Sequence, residues 1–346
     1  MPATRPSRTH WTSLICVPRP HPSRCRQLEF GCVSSRHRVV RDVAVSAVEL
    51  CTWDSTAPSG SRLFVNVTTN GCGSGCTYCY ISDPASEQQV ASANVLRQNL
   101  GSAIGSSSFV PGPLGSIISM CPDSEPFKTE ESTDRVLMAA TMFLELGNPM
   151  QFSTKERVPD EVISQIGRNQ QWDGQVVIFT SCATISKAST VEPGATPPLE
   201  RFVNFEAGRR HGVHSCLYVK PFVAATGRDA ELFGGVIDHF EPSSVCVGMH
   251  YMTPSPTVVN DRTQADAGAT LARAHPVHIG LRSRAISQEF EAFTASISTI
   301  RPAMLIFRSA ICVTAYLRDL APNPQLWIEK PELCVACRGC RVEEIA

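Results

Sequence analysis

The chain has 346 residues, of which 42% are hydrophobic and 18% charged, with a formal net charge of −1 and 15 cysteines. That length carries one large catalytic domain or two small ones around a packed core. No apolar run reaches the roughly 18 residues of a membrane span, and the chain is too long for a small secreted disulfide scaffold.

Charge is unevenly placed. Residues 1–41 hold eight arginines against one acid, Glu29, a net of +7 that leaves −8 for residues 42–346. A net-acidic body is a poor electrostatic partner for a nucleic-acid backbone. Residues 1–36 are rich in Arg, Pro and Ser without helical or strand period. They read as a disordered extension or, being basic and poor in acids, as an organellar transit peptide. The apolar piece Leu14–Val17 is too short for a signal-peptide core.

From about Arg62 a βα pattern sets in. Leu63–Val67, Ser116–Met120, Met150–Ser153, Val176–Thr180, His214–Val219 and Val245–Met249 are predicted as strands one to six. Helices are predicted at Thr133–Leu146, with Ser132 or Thr133 as N-cap and Gly147 as stop signal, and at Val158–Arg168. Two more are predicted at Pro197–His211, closed by Gly212, and at Asp229–His239. Val277–Leu281 is a further strand candidate, and Met304–Tyr316 is an apolar element of either type. Strands and helices alternating at this spacing predict βαβ units in a parallel sheet or barrel.

Strand one leads into Val65–Pro84, VNVTTNGCGSGCTYCYISDP. Cys72, Cys76 and Cys79 stand there in C-x3-C-x2-C spacing, and three thiolates so close in sequence suit three irons of a [4Fe–4S] cluster. The fourth iron is left for an exogenous group, as in open catalytic metal sites. Gly71, Gly73 and Gly75 let the loop fold tightly, and Tyr78 precedes the last cysteine. The alternative is a zinc-type cluster, although zinc knuckles pair C-x2-C with further Cys or His nearby. Cysteines with iron–sulfur spacing suit a reducing compartment, so a cytoplasmic protein is expected.

This loop resembles that of the radical S-adenosylmethionine (SAM) superfamily, in its spacing and in the aromatic before the third cysteine. The resemblance implies that the free iron chelates the amino and carboxylate groups of SAM. One electron, from a donor such as flavodoxin or ferredoxin, then cleaves SAM to methionine and a 5′-deoxyadenosyl radical. It also implies an α/β fold, a partial (β/α)6 TIM-like barrel over residues 61–285. An N-terminal extension, 1–60, would precede it and a Cys-rich segment, 286–346, would follow.

In parallel α/β architectures, ligands gather at the carboxyl ends of strands. Cys121-Pro122-Asp123-Ser124-Glu125 follows strand two, Ser153-Thr154-Lys155 ends strand three, and Thr180-Ser181 ends strand four. Glu192-Pro193-Gly194-Ala195-Thr196-Pro197 then leads to Leu199-Glu200-Arg201. With Cys76-Thr77-Tyr78-Cys79-Tyr80, this series resembles the spore photoproduct lyase branch over roughly residues 62–250. The resemblance implies SAM contacts from Asp123 or Ser124, from Lys155 and Ser181, and from Glu192 as a further candidate. Lys155, a compact charge on a flexible stem, suits the SAM carboxylate; a solvated strand-end lysine is the alternative. Tyr78 would cover the cluster or the adenine, and Tyr78 and Tyr80 would relay or pack.

Cys121 falls where the lyase carries the thiol that donates a hydrogen atom to the product radical. Cys246 is the competing donor, and either is equally a buried thiol packing as a small hydrophobe. The tail departs from the lyase pattern: Cys334, Cys337 and Cys340 form C-x2-C-x2-C. A second [4Fe–4S] cluster with Cys312 as fourth ligand is expected, with a zinc site or redox-active tail as alternatives. This combination points to a small-molecule enzyme acting on a sugar, aminoglycoside, nucleoside or peptide, with epimerisation as the chemistry. DNA photoproduct repair and a non-enzymatic iron–sulfur or zinc protein are the competing readings.

Overall fold

The structure is a computed structural model that describes residues 49–54, 62–79, 81, 84–222, 227–248, 251–252, 277–278, 284–307 and 309–318. All lie within the compact unit Val48–Ala346. Tyr80, residues 1–48 and the tail cysteines Cys334, Cys337 and Cys340 fall outside the described residues.

The strands are β1 (Cys51–Asp54), β2 (Arg62–Val65), β3 (Thr68–Asn70), β4 (Gln89–Val90), β5 (Ile117–Met120) and β6 (Met150–Thr154). β7 (Val176–Ser181), β8 (His214–Val219), β9 (Ser244–Val247), β10 (Tyr251–Met252), β11 (Val277–His278) and β12 (Ile306–Phe307) complete them. Eight form one sheet in the order β1-β2-β5-β6-β7-β8-β9-β12. From β2 to β12 every pairing is parallel; only β1 runs antiparallel, against β2. Among the described residues β1 and β12 stand at the sheet edges. The six predicted strands are therefore part of an eight-stranded sheet. β1 lies in the stretch assigned to the extension, and β12 in the element whose type the sequence left open.

The helices are α1 (Ala93–Ile104), α2 (Glu130–Glu145), α3 (Asp160–Asn169), α4 (Ala188–Val191) and α5 (Pro198–Arg201). They continue with α6 (Val203–His211), α7 (Gly227–Phe240), α8 (Arg284–Ile300) and α9 (Ala310–Leu317). α2 begins earlier than predicted. Thr129, not Ser132 or Thr133, is the N-cap, because Ser132 serves as the return arm of a capping box. The predicted Pro197–His211 helix breaks at Phe202 into α5 and α6. Phe202 is wholly buried and stacks on Phe205 at 5.7 Å between ring centroids. Gly212 closes α6 in the left-handed conformation, φ +68°.

Side chains alternate across the strands and divide the sheet into two faces. Leu63, Val65, Ile118, Met120, Met150, Phe152, Val176 and Ile178 share one apolar cluster with residues of α1, α2 and α3. Leu217, Val219, Val245 and Val247 join a second cluster with Phe233, Phe293 and Ile297 of α7 and α8. On the opposite face Val177, Phe179, Cys216, Tyr218, Cys246 and Phe307 pack with Cys312 and Val313 of α9. Further along that face Ser119 accepts from Arg62 and from Gln151, each at 2.7 Å, and Gln151 accepts from Thr314 of α9 at 3.3 Å.

Candidate functional site

The cysteine loop leaves the sheet after β2. Asn66 donates its N–H to the Leu50 carbonyl at 2.8 Å, and Asn70 pairs with Gln89 in the small β3–β4 ribbon. Gly71 has φ +72°, and a Cβ there would stand 2.2 Å from the Glu87 carbonyl oxygen, so only glycine fits. Cys76 is buried while Cys72 and Cys79 are half-buried, and Cys79 N–H returns to the Cys76 carbonyl at 3.1 Å.

The segment 191–196 lies along this loop. Thr77 donates to the Val191 carbonyl and Gly194 to the Ser74 carbonyl, both at 3.0 Å. Lys128 donates to the Gly194 carbonyl and pairs with Glu156 at 2.8 Å; Glu156 also accepts from the Thr196 hydroxyl. The Tyr78 hydroxyl donates to Glu192, and Glu192 forms a fully buried ion pair with Arg201. Burial first, and then the Glu192 charge, push the Tyr78 phenol well above its ordinary range. The Lys155 ammonium lies 5.7 Å from the centre of the Tyr78 ring. Burial works against its charge, but Glu192, Cys76 and Glu125 outweigh it and raise the Lys155 pKa. Lys155 is thus half-buried among carboxylates, unlike a solvated strand-end lysine.

Asp123 accepts from the Asn66 side chain at 3.3 Å. Nearby, Asn66 Oδ1, Ser74 Oγ and Ser124 Oγ are buried without a hydrogen-bond partner. Ser181 is buried and donates to the Lys220 carbonyl at 3.4 Å. Cys121 takes an uncommon positive φ of 50°, is 1% exposed, and packs in the apolar cluster behind β2 and β5. Burial pushes its thiol up to about 12. Cys246 is wholly buried on the opposite face of the sheet, where it shares a cluster with Cys312. The structure therefore gathers Cys72, Cys76, Cys79, Tyr78, Asp123, Ser124, Lys155, Ser181 and Glu192 around the strand ends. It sets Cys246 and Cys312 apart in the apolar interior.

Several side chains that order the strand ends were not singled out from the sequence. Glu125 accepts from the Thr154 hydroxyl and from Lys155 N–H. Asp229 accepts from Thr184, Ile185 and Ser186 and so fixes the loop after β7. Burial opposes its charge, but these bonds hold its carboxyl below the ordinary value. Asn204 ties the Val158 N–H, the Glu156 carbonyl and Thr180. Each is a polar residue beside a strand end, but its partner lies tens of residues away, so local pattern gives no sign of it.

Among the described residues no three His, Cys, Asp or Glu side chains converge on a single-ion site. What suits an iron–sulfur cluster and SAM is the donor chemistry: three cysteines on one tight loop, a cation beside Cys76 and Tyr78, and buried polar atoms without a partner. Burial pushes the Cys76 thiol up to about 11, with Lys155 pulling the other way; a coordinated metal deprotonates such a thiol outright.

A largely parallel sheet thus carries a three-cysteine loop after its first parallel strand, at the ends where α/β proteins gather their ligands. No family model matches the sequence, and no curated protein matches it. Among solved structures, the fold is that of spore photoproduct lyase. A Tyr-to-Phe variant of that enzyme superimposes with a TM-score of 0.51 at 16% identity, covering 75% of this chain and 79% of that one. A double variant with bound AdoMet and dinucleoside spore photoproduct gives 0.51 at 14% identity over the same shares. Streptococcus suis SuiB bound to precursor peptide SuiA gives 0.43 at 12% identity, over 74% of this chain and 50% of that chain.

Proposed function

We propose that this protein is a radical SAM enzyme. The observation that carries the reading is the Cys72–Cys76–Cys79 loop after β2, with the Lys155 ammonium over Tyr78 at its side. The bound cluster and SAM would supply a 5′-deoxyadenosyl radical, the hard chemistry belonging to the cofactor. Cys72, Cys76 and Cys79 hold the cluster. Lys155 offers a fixed positive charge to the SAM carboxylate, and Asp123 and Ser124, with Asn66 behind Asp123, offer polar partners to its amino group. Tyr78 and the segment 191–196 wall the loop from water.

The substrate is a small molecule, a sugar, aminoglycoside, nucleoside or peptide, and the net outcome is epimerisation. Carbon loses a hydrogen atom on one face and regains one on the other from a cysteine S–H. Cys121 is the first donor candidate: it follows β5 two residues before Asp123, and a thiol pushed up to about 12 stays as S–H. Cys246 is the second. The thiyl left behind takes one electron and one proton to regenerate, and a second cluster on Cys334, Cys337 and Cys340 would supply the electron. Reduction of the first cluster falls to a flavodoxin or ferredoxin in a reducing cytoplasm. A second reading, repair of a DNA photoproduct, draws support from the spore photoproduct lyase fold. It requires DNA binding that weakens steeply with salt.

The test is anaerobic reconstitution followed by reduction with dithionite in the presence of SAM. Wild type is expected to form 5′-deoxyadenosine, and Cys76→Ala is expected to form none. Wild type that takes up no iron on reconstitution, or that takes it up and releases no 5′-deoxyadenosine, would sink the reading. Once a substrate is found, the donor variant makes 5′-deoxyadenosine but incorporates no solvent deuterium into product. Cys121→Ala and Cys246→Ala, compared separately, identify it.

A further inference from the structure

We infer that Glu192 is a positioning residue, which braces the cysteine loop against the ends of β6 and β7 and sets Tyr78 and Lys155 in place. The inference rests on the radical SAM reading for its consequence. Both oxygens of the Glu192 carboxylate are occupied within the protein. Oε1 accepts the Tyr78 hydroxyl and, at 3.2 Å, the Ala183 N–H; Oε2 takes the Arg201 guanidinium. Both side chains of the Glu192–Arg201 pair have 0% exposure.

Such a pair gives little net stability, because desolvation of both charges opposes their attraction. What it gives here is geometry. Arg201 also donates to the Lys155 carbonyl at 3.5 Å, so one guanidinium ties the end of β6 to Glu192. Through Glu192 it ties that strand end to the aromatic of the cysteine loop. Ala183, just past β7, adds the third anchor. The main chain on either side docks through Thr77 to Val191 and Gly194 to Ser74, the two bonds that the Glu192 brace supports. Gly194 approaches so closely that a Cβ would stand 2.6 Å from the Gly73 carbonyl oxygen. Glu192 therefore acts on the ligand site through Tyr78 and Lys155, as the middle of a docked segment, with both oxygens already engaged within the protein.

Two measurements test this on the full-length protein. The first is amide hydrogen exchange before iron is added, read at Thr77 and Gly194. The second, after reconstitution and reduction, is the electron paramagnetic resonance spectrum of the cluster with and without SAM. Tyr78→Phe and Glu192→Gln are both expected to speed exchange at these two amides by about tenfold, the worth of one hydrogen bond to a charged group. Both are also expected to displace the spectrum recorded with SAM, a signature that a loss of fold stability alone leaves unmoved. The phenylalanine variant keeps the ring and its packing, so it answers the question even where Glu192→Gln fails to fold. Exchange at Thr77 that stays at the wild-type rate in both variants overturns the brace. So does a spectrum that changes in Glu192→Gln while Tyr78→Phe and Arg201→Met remain as wild type, since that is the mark of direct contact with SAM. A wild type without iron, or without a SAM-dependent spectrum, refutes the radical SAM reading instead, and the exchange data still decide the brace.

Discussion

The backbone N–H of Lys155 donates to the Glu125 carboxyl at 2.8 Å, which fastens the end of β6 to the loop that follows β5. Thr154 donates to the same group. Glu125 is 4% exposed. Burial pushes its pKa from 4.5 up to about 7, against the hydrogen bonds from Thr154 and Lys155. The folded chain therefore keeps a proton that the unfolded chain releases between those values. Glu125 thus makes stability fall as pH rises through the window from 4.5 to about 7, at up to about 1.4 kcal/mol per pH unit. His214 works in the opposite sense, since burial lowers it from 6.5 to about 4, and its contribution is lost as pH falls through that range. Urea unfolding at about pH 5 and about pH 8 should show a smaller decline in Glu125→Gln than in wild type. Equal declines would mean that Glu125 is ionised throughout.

Removing Arg201 leaves the Glu192 carboxylate buried with its charge uncompensated. Arg201→Met is expected to lower the unfolding free energy by about 3–5 kcal/mol. Arg210→Met removes a pair with Asp160 whose side chains are 59% and 50% exposed, and should shift the urea midpoint little. Similar midpoints for the two variants would contradict the burial of the Glu192–Arg201 pair.

Two glycines separate packing from flexibility. In Gly194→Ala the new methyl meets the Gly73 and Ser74 carbonyls at 2.6 and 2.9 Å, so the docked segment must lift from the cysteine loop. Iron uptake in reconstitution should drop, with a stability loss of about 1–3 kcal/mol. Gly101 lies within α1 with nothing within 4 Å of an added Cβ. Gly101→Ala should stabilise by roughly 0.5–1 kcal/mol and leave iron uptake as it was.

Iron counting addresses the tail. Wild type is expected to hold about eight irons, and a Cys334/Cys337/Cys340→Ala triple variant about four, as two Cys-ligated [4Fe–4S] clusters require. About four in both would assign the tail to zinc or to free thiols and return weight to the repair reading.

The sequence made the sheet legible where strands are apolar and bounded by helices. Val176–Ser181 and His214–Val219 fall within a residue of their predicted bounds. β1 escaped notice because its four residues carry no βα partner and pair antiparallel with the next strand. The break at Phe202 escaped because helical periodicity does not reveal that one aromatic turns inward between two short helices. At the site the cysteine spacing was readable, since a cluster loop is local. The brace was not. Tyr78 and Glu192 are separated by 114 residues, and only the fold makes them neighbours. The sequence offers Glu192 as a ligand contact; its hydrogen bonds to Tyr78, Ala183 and Arg201 are visible only in the fold.

The hydrogen bond from Thr314 to Gln151 joins residues 163 apart in the chain, and it marks where the interior is sealed. α9 and β12 complete the face that Phe179, Tyr218 and Cys246 line, yet they are the last described elements in the chain. Contacts of such long separation form late, because loop-closure entropy is lost before they return any stability. The apolar face of β7–β9 that α9 covers is thus expected to be among the last to be buried. During synthesis it is expected to wait for residues 306–317, an interval that favours aggregation.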